Sequence, residues 1–500
     1  MRGASAVTVG GLLAGAVYAG SGNGVVQWDI QRTQRSQEFR RLRKRASTFE
    51  EVVTNEQARG GYFATCRLGT PGQNLTLQLD TGSSDIWVPD STAQVCQQQR
   101  SEGCTLGSFS PSDSTSFTVV GKGEFDIAYV DGSKSQGDYF TDVFEIGGAT
   151  LKNMTMGLGL TTDINYGLVG VGYAVNEAIV GDTQSLSSVY PNLPVNMVDE
   201  GLINTVAYSL WLNDLDASSG NILFGGIDTE KYKGELTRIN IYPSQQNIYS
   251  HFAVALTSLQ AYSSSGHDTL TSSEFPIAVV LDSGTTLSYL PTDLAHQIWT
   301  EVGAVWSNEA GAAVLPCNMQ NSGGYFSFGL AGPNGPRINV TMDELVLDMT
   351  SGRAPRFSTG QYSGQDACAF GIQNFSSSPY LLGDTFLRSA YVVYDLVNNE
   401  IGIAPTDFNS TKSNIVAFPS MSAPIPSATV APNQNEVTNT PSEVTTPAYA
   451  ARDGFKEVPA SGGEENAAPH MPSGFGKGEI LVVGVTMLLV TLGSGLFVVI

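Results

Sequence analysis

The chain has 500 residues, 41% of them apolar, and a formal net charge of −22. That length exceeds a single small core and allows two or three domains. The acidic balance argues against a nucleic-acid partner, which calls for a basic face, and suits work in acid, where many carboxylates are neutral.

Met1-Arg2 precedes a Gly/Ala-rich apolar run ending Val17-Tyr18-Ala19. A charged start, a short apolar stretch and small residues near a cut site predict a secretory signal over 1–19. Residues 1–45 hold eight of the 25 Lys/Arg and only two acids, Asp29 and Glu38. The stretch ends Arg41-Leu42-Arg43-Lys44-Arg45. Just behind a signal, Lys44-Arg45 predicts a cut by a dibasic processing protease. Residues 20–45 are then a basic propeptide whose cations neutralise an acidic cleft until removed.

Residues from about 60 to 405 alternate short apolar and polar runs, as in Leu75-Thr76-Leu77-Gln78-Leu79, with Gly and Asn between them. This β-rich pattern has few long helical stretches. It is also written twice. Leu77–Pro89 is LQLDTGSSDIWVP and Val279–Pro291 is VVLDSGTTLSYLP. Leu168-Val169-Gly170 follows the first copy and Leu381-Leu382-Gly383 the second. Two lobes, 46–208 and 209–405, meeting near Tyr208, account for the repeat. In each copy an apolar strand delivers an Asp to a tight turn, where Gly permits close approach and neighbouring hydroxyls orient the carboxylate. Two such loops face to face bring Asp80 and Asp282 together. At roughly 3 Å they cannot both ionise easily and share a proton. One is base to a water and the other acid to a carbonyl oxygen, which suffices for amide hydrolysis without metal or cofactor. The four His show no metal-ligand spacing with the Cys, so no metal is expected.

From Thr406 to about Asn466 the chain is rich in Ser, Thr, Pro, Asn and Ala, which predicts an exposed stalk. Sequons start at Asn74, Asn153, Asn339, Asn374 and Asn409, the candidate glycosylation sites of a secreted chain. Ile480–Ile500 is 21 residues without a charge, and a polar spacer separates it from Asn466-Ala467-Ala468. Small residues, spacer and apolar tail predict a glycolipid-anchor signal, with attachment at Asn466 and loss of 467–500. Ser461-Gly462-Gly463 is a second attachment site, and a transmembrane tail is the alternative reading.

At the two Asp loops the chain resembles the pepsin-like aspartic proteases, over roughly Gly61 to Pro405, and most nearly the fungal surface proteases of the yapsin and candidapepsin type. Gly61–Thr65, Leu68–Gln73, Gly225–Asp228 and Leu382–Arg388 are similar to further motifs of that family. The resemblance implies an all-β, bilobal fold of two pseudo-symmetric six-stranded lobes with the active site between them. It implies catalytic Asp80 and Asp282, supported by Thr81, Gly82, Ser83, Ser283, Gly284 and Thr285. Thr81 and Ser283 would brace the loops, and Ser83 and Thr285 would bond the outer carboxylate oxygens. Ala128–Ser133 is similar to the flap hairpin, with Tyr129, Asp131 and Gly132 over the substrate and Trp87 supporting Tyr129. Asp131 invites a preference for basic residues near the scissile bond. Of the five cysteines at least one is unpaired. The resemblance implies bridges Cys96–Cys104 and Cys317–Cys368, leaving Cys66 a buried free thiol. The function implied is an extracellular, membrane-anchored, monomeric aspartic endopeptidase acting on proteins or peptides in acid. The alternative is an inactive surface protein that keeps the fold as a binding module.

Overall fold

A computed structural model describes residues 24–32, 61–97, 103–129, 132–217, 219–245, 247–350, 353–437 and 444–456. The alternation seen in the sequence becomes strand faces. In Gln73–Asp80, Leu75, Leu77 and Leu79 all point into the core. This strand lies antiparallel to Tyr62–Leu68 and parallel to Gly167–Gly170, with Asp80 opposite Gly170. The second half repeats the device. Ile277–Leu281 runs parallel to Tyr380–Leu382, with Leu281 opposite Leu382. The doubled motif of the sequence is therefore a doubled strand pairing, and each pairing ends at an Asp loop.

The fold is all-β and bilobal, but the halves are not two separate six-stranded copies. One 14-stranded sheet passes through both lobes, and an eight-stranded sheet carries the second Asp strand. Between the lobes run Ala390–Asp395, Ala207–Trp211, Ser219–Phe224, Val26–Arg32 and Tyr62–Leu68 as successive antiparallel neighbours. Tyr208 lies here, its ring 4.9 Å from that of Tyr394. Phe252 meets Tyr394 edge to face at 4.6 Å, a favoured aromatic geometry. Arg388 and Glu344 form a fully buried ion pair beside this layer.

Two segments carry more packed structure than their composition suggests. The described part of the 20–45 segment is residues 24–32, of which Val26–Arg32 is a central strand, and its basic run 35–45 lies outside the described residues. Trp28 and Ile30 are buried in the core, and Gln27, Asp29 and Gln31 face outward. Reading this stretch by its charge hid a period-two pattern. The predicted stalk is also packed as far as Lys456. Ile415–Ala417 pairs with Gly226–Asp228, and Ala428–Val430 runs parallel to Leu236–Asn240. Phe418, Ile425, Ala431, Ala451 and Phe455 are buried. A few anchors separated by polar residues are enough to dock a segment onto an existing lobe, though they could not form a core alone.

Cys96–Cys104 and Cys317–Cys368 are disulfide-bonded and Cys66 is a buried free thiol. Burial pushes that thiol far above its ordinary pKa, which leaves it a small apolar filler. No helix among the described residues is long and apolar enough to cross a membrane. Residues 1–19, the Lys44-Arg45 site, Asn466 and the 480–500 run lie outside the described residues.

Phe418→Ala or Phe455→Ala should each cost about 3–4 kcal/mol, the usual loss for a buried Phe. Denaturant unfolding of the full chain measures this. A loss within error would return residues 407–456 to the solvent.

Candidate active site

Asp80 closes its strand and Asp282 follows the end of its own, and both are fully buried. Each loop turns back on its carboxylate. Gly82 N donates to Asp80 Oδ1 at 2.8 Å, and Gly284 N donates to Asp282 Oδ1 at 2.9 Å. Ser83 Oγ donates to Asp80 Oδ2, and Thr285 Oγ1 donates to Asp282 Oδ2 at 2.6 Å. The glycines are required by space. A Cβ on Gly82 would sit 2.6 Å from Asp282 Oδ1, and one on Gly284 would strike Asp80 Oδ1.

The two loops grip each other across the lobes. Ser283 N donates to Thr81 Oγ1 at 2.9 Å, and Thr81 N donates to Ser283 Oγ at 3.2 Å. Each hydroxyl passes its own proton on, Thr81 to Leu281 O at 3.0 Å and Ser283 to Leu79 O at 3.2 Å. Four bonds thus fix the relative position of the loops with no charge spent. Gln78 Nε2 adds a fifth, to Gly284 O at 3.2 Å.

The carboxyls are hydrogen-bonded to each other. Burial raises both, because the charged form loses water. Their mutual bond favours the charged form of Asp80, and the Asp80 charge raises Asp282 further. The titration belongs to the pair and not to either residue alone. Asp384 is a third buried carboxyl near the dyad. Burial pushes it well up, the Arg388 cation pulls it down, and the Asp282 charge adds to the rise.

Over the Asp80 side lies the hairpin of Thr118–Ala128 and Lys134–Ile146. Tyr129 is buried, and its hydroxyl accepts from Trp87 Nε1 at 2.6 Å, which leaves the O–H free to donate. Gly132, at φ +87°, makes the turn, and its N–H donates to Tyr129 O. Asp131 lies outside the described residues. Of the sequons, Asn74, Asn153, Asn339 and Asn409 are exposed and Asn374 is half-buried.

Sequence reasoning missed a polar brace behind the first loop. Asp85, fully buried, accepts from Tyr190 Oη (2.7 Å), Ala178 N (2.8 Å) and Tyr139 Oη (3.1 Å). Asn176 Nδ2 donates to Gly82 O at 3.1 Å, and Ser84 Oγ to Tyr173 O at 2.7 Å. Glu177 Oε2 accepts from Tyr190 N at 2.9 Å. The segment 173–190 therefore holds the Asp80 loop from behind. A signal existed. The repeat puts Leu287 where the first copy has Asp85, and a buried acid replacing a leucine requires partners.

Burial, then the Asp85 charge, push Glu177 from its ordinary 4.5 up to about 10. The folded state therefore binds this proton more tightly than the unfolded chain. The associated stability is full below pH 4.5 and drains away as pH rises toward about 10, by up to about 1.4 kcal/mol per pH unit. Melting curves from pH 4 to 8 should coincide for wild type and Glu177→Gln at the acid end. They should diverge upward for the variant as pH rises, and parallel curves would contradict the assignment.

A profile of the eukaryotic aspartyl protease family matches residues 61–406. The chain is 43% identical over 408 residues to the probable aspartic-type endopeptidase opsB of Aspergillus fumigatus, covering 81% of each chain. It is 41% identical over 464 residues to the protein of the same name in Aspergillus oryzae, covering 90% of each. It is 35% identical over 375 residues to secreted aspartic protease 8 of Candida albicans, covering 74% of this chain and 81% of that one. On the family match and on these identities, the chain belongs to the eukaryotic aspartyl proteases.

Proposed function

We propose that this chain, an aspartic-type endopeptidase, is secreted, tethered to the cell surface and active in acid, and that it cleaves peptide bonds with a water activated between Asp80 and Asp282. The observation that carries the reading is the hydrogen bond between two buried carboxyls, which needs one proton for the pair. Charged Asp80 takes a proton from water as the water oxygen attacks the peptide carbonyl carbon. Asp282 gives its proton to the carbonyl oxygen, and a neutral tetrahedral diol forms. In the second step a diol hydroxyl returns its proton to Asp282, the proton held by Asp80 passes to the amide nitrogen, and the C–N bond breaks. The pair is left with one proton again.

Thr81 and Ser283 keep the loops in register, and Ser83 and Thr285 fix the outer oxygens so that the inner ones face the water. Tyr129, set by Trp87, covers the substrate with Gly132 at the turn, and Asp131 favours a basic residue near the scissile bond. The chain works as a monomer. A dibasic protease acts at Lys44-Arg45, and a glycolipid at Asn466 holds the enzyme on the outer face of the plasma membrane or in the wall. The name secreted aspartic protease 8 of a 35% identical relative supports an extracellular setting.

Asp80→Asn and Asp282→Asn should each lower kcat by about 10³-fold at acid pH while the chain still folds, and pepstatin should inhibit the wild type. Full activity in both variants would reject the role of the pair, and no pepstatin-sensitive cleavage by the wild type would favour a binding module instead. Profiling Asp131→Ala on a peptide library should show a weaker preference for Lys and Arg, and an unchanged preference would reject the Asp131 role. Phosphatidylinositol-specific phospholipase should release the enzyme from cells. Retention in the membrane fraction would favour a transmembrane tail.

A further inference from the structure

Beyond the family match the chain keeps folding onto the second lobe. Residues 444–456 lie along Ala253–Ser263, Gly266–Leu270 and the helix Thr292–Val302. Thr445 and Thr271 exchange two hydrogen bonds, at 2.8 and 2.9 Å. Ser265 Oγ donates to Ala450 O at 2.6 Å and accepts from Gly454 N at 2.9 Å. Phe455 is fully buried and stacks on Phe326 at 5.4 Å. Any side chain at Gly324 would collide with its ring.

Two carboxyls lie beneath this segment. Asp268 Oδ2 accepts from Ala451 N at 2.8 Å. Glu301, on the helix, is fully buried, and neither of its oxygens meets an N–H or O–H donor among the described residues. Its partner is the Asp268 carboxyl. A bond between two carboxyls needs a proton, and Asp268 must stay an acceptor for Ala451. The Ala451 N–H favours the charged form of Asp268, whereas Glu301 has no such donor, so the proton belongs on Glu301. Arg452 is the cation facing the pair from the segment itself, and it pulls the other way. Asp453 and Lys456 pair with each other on the exposed side. His267 and His296 are exposed and face Tyr262 and Trp299.

We propose that residues 444–456 are a proton-dependent latch, closed while Glu301 holds a proton between itself and Asp268, and opened when a second charge develops beneath Ala451. Burial and the Asp268 charge push Glu301 from 4.5 up to about 8. The latch contribution is thus full below pH 4.5 and is lost as pH rises through about 8, so the acid-active enzyme keeps it closed. On the proposed anchor at Asn466, which the latch does not require, the closed state leaves ten residues after Lys456, a reach of about 35 Å. Opening back to Val437 leaves 29 residues, a reach of about 100 Å. The latch would then set how far the cleft stands from the surface.

Hydrogen–deuterium exchange of the full chain from pH 5 to 9, corrected for intrinsic rates, tests this. Amides of residues 445–455 should lose protection at least tenfold above pH 8, while Ile277–Leu281 keeps it. Glu301→Gln, whose amide still donates to Asp268, should stay protected at pH 9. Three results would overturn the latch: pH-independent protection in wild type, equal loss in Glu301→Gln, or loss shared with Ile277–Leu281. The wild-type series decides alone if the variant does not fold.

Discussion

Two carboxyls joined by a hydrogen bond in a fully buried site cannot both be charged, and the architecture around Asp80 and Asp282 follows from that constraint. To share a proton the groups must be brought together and kept from separating. Close approach requires Gly82 and Gly284, since each faces the opposite lobe's carboxyl with no room for a methyl group. Register requires the Thr81–Ser283 exchange, in which hydroxyls and backbone groups satisfy one another. A charged clamp could also hold the loops, but its field would disturb the titration it was meant to support. Neutral hydroxyls avoid this, and in a buried site each donor and acceptor must be matched in any case.

Around this symmetric centre the lobes differ. Behind the first loop stands Asp85 with two tyrosine hydroxyls and a backbone amide; the matching position in the second loop is Leu287, in an apolar cluster. Beside the second loop stands Asp384 with Arg388; the matching position in the first lobe is Val171. Each lobe thus keeps a buried carboxyl of its own beside its loop, and the one beside the second loop, Asp384, is itself raised by the Asp282 charge. Inequivalent surroundings of this kind allow one Asp to hold the proton and the other the charge, although both sit in copies of one loop.

Much of this was legible in the sequence because it rests on local rules. The Asp-Thr/Ser-Gly loops, the paired Leu-Gly strands and the hydroxyls three residues past each Asp are fixed by turn geometry and by what a carboxylate accepts. Two kinds of feature were not legible. Partners distant in sequence, such as Tyr190 for Asp85 or Asp268 for Glu301, depend on which elements the topology brings together. Segments judged by average composition conceal their packed residues for another reason. Val26–Arg32 was hidden by its charged neighbours, and residues 407–456 by abundant Ser and Pro. In both, a few well-placed apolar residues decide the outcome: Trp28 and Ile30 in one, Phe418 and Phe455 in the other. Burial depends on position more than on proportion.

The buried acids away from the dyad share a logic with it. Glu177 beside Asp85 and Glu301 beside Asp268 lie in the first and second lobes, and burial and a like charge hold each in its protonated form. A protein built this way is most secure in acid and loosens as pH rises. The central claim is narrower: at working pH the Asp80–Asp282 pair carries one proton. Neutron diffraction from a deuterated crystal grown at the pH of maximal activity would count it directly. One deuteron between the two carboxyls, bonded to Asp282 and pointing at Asp80, is the predicted result. Two deuterons or none would contradict the account.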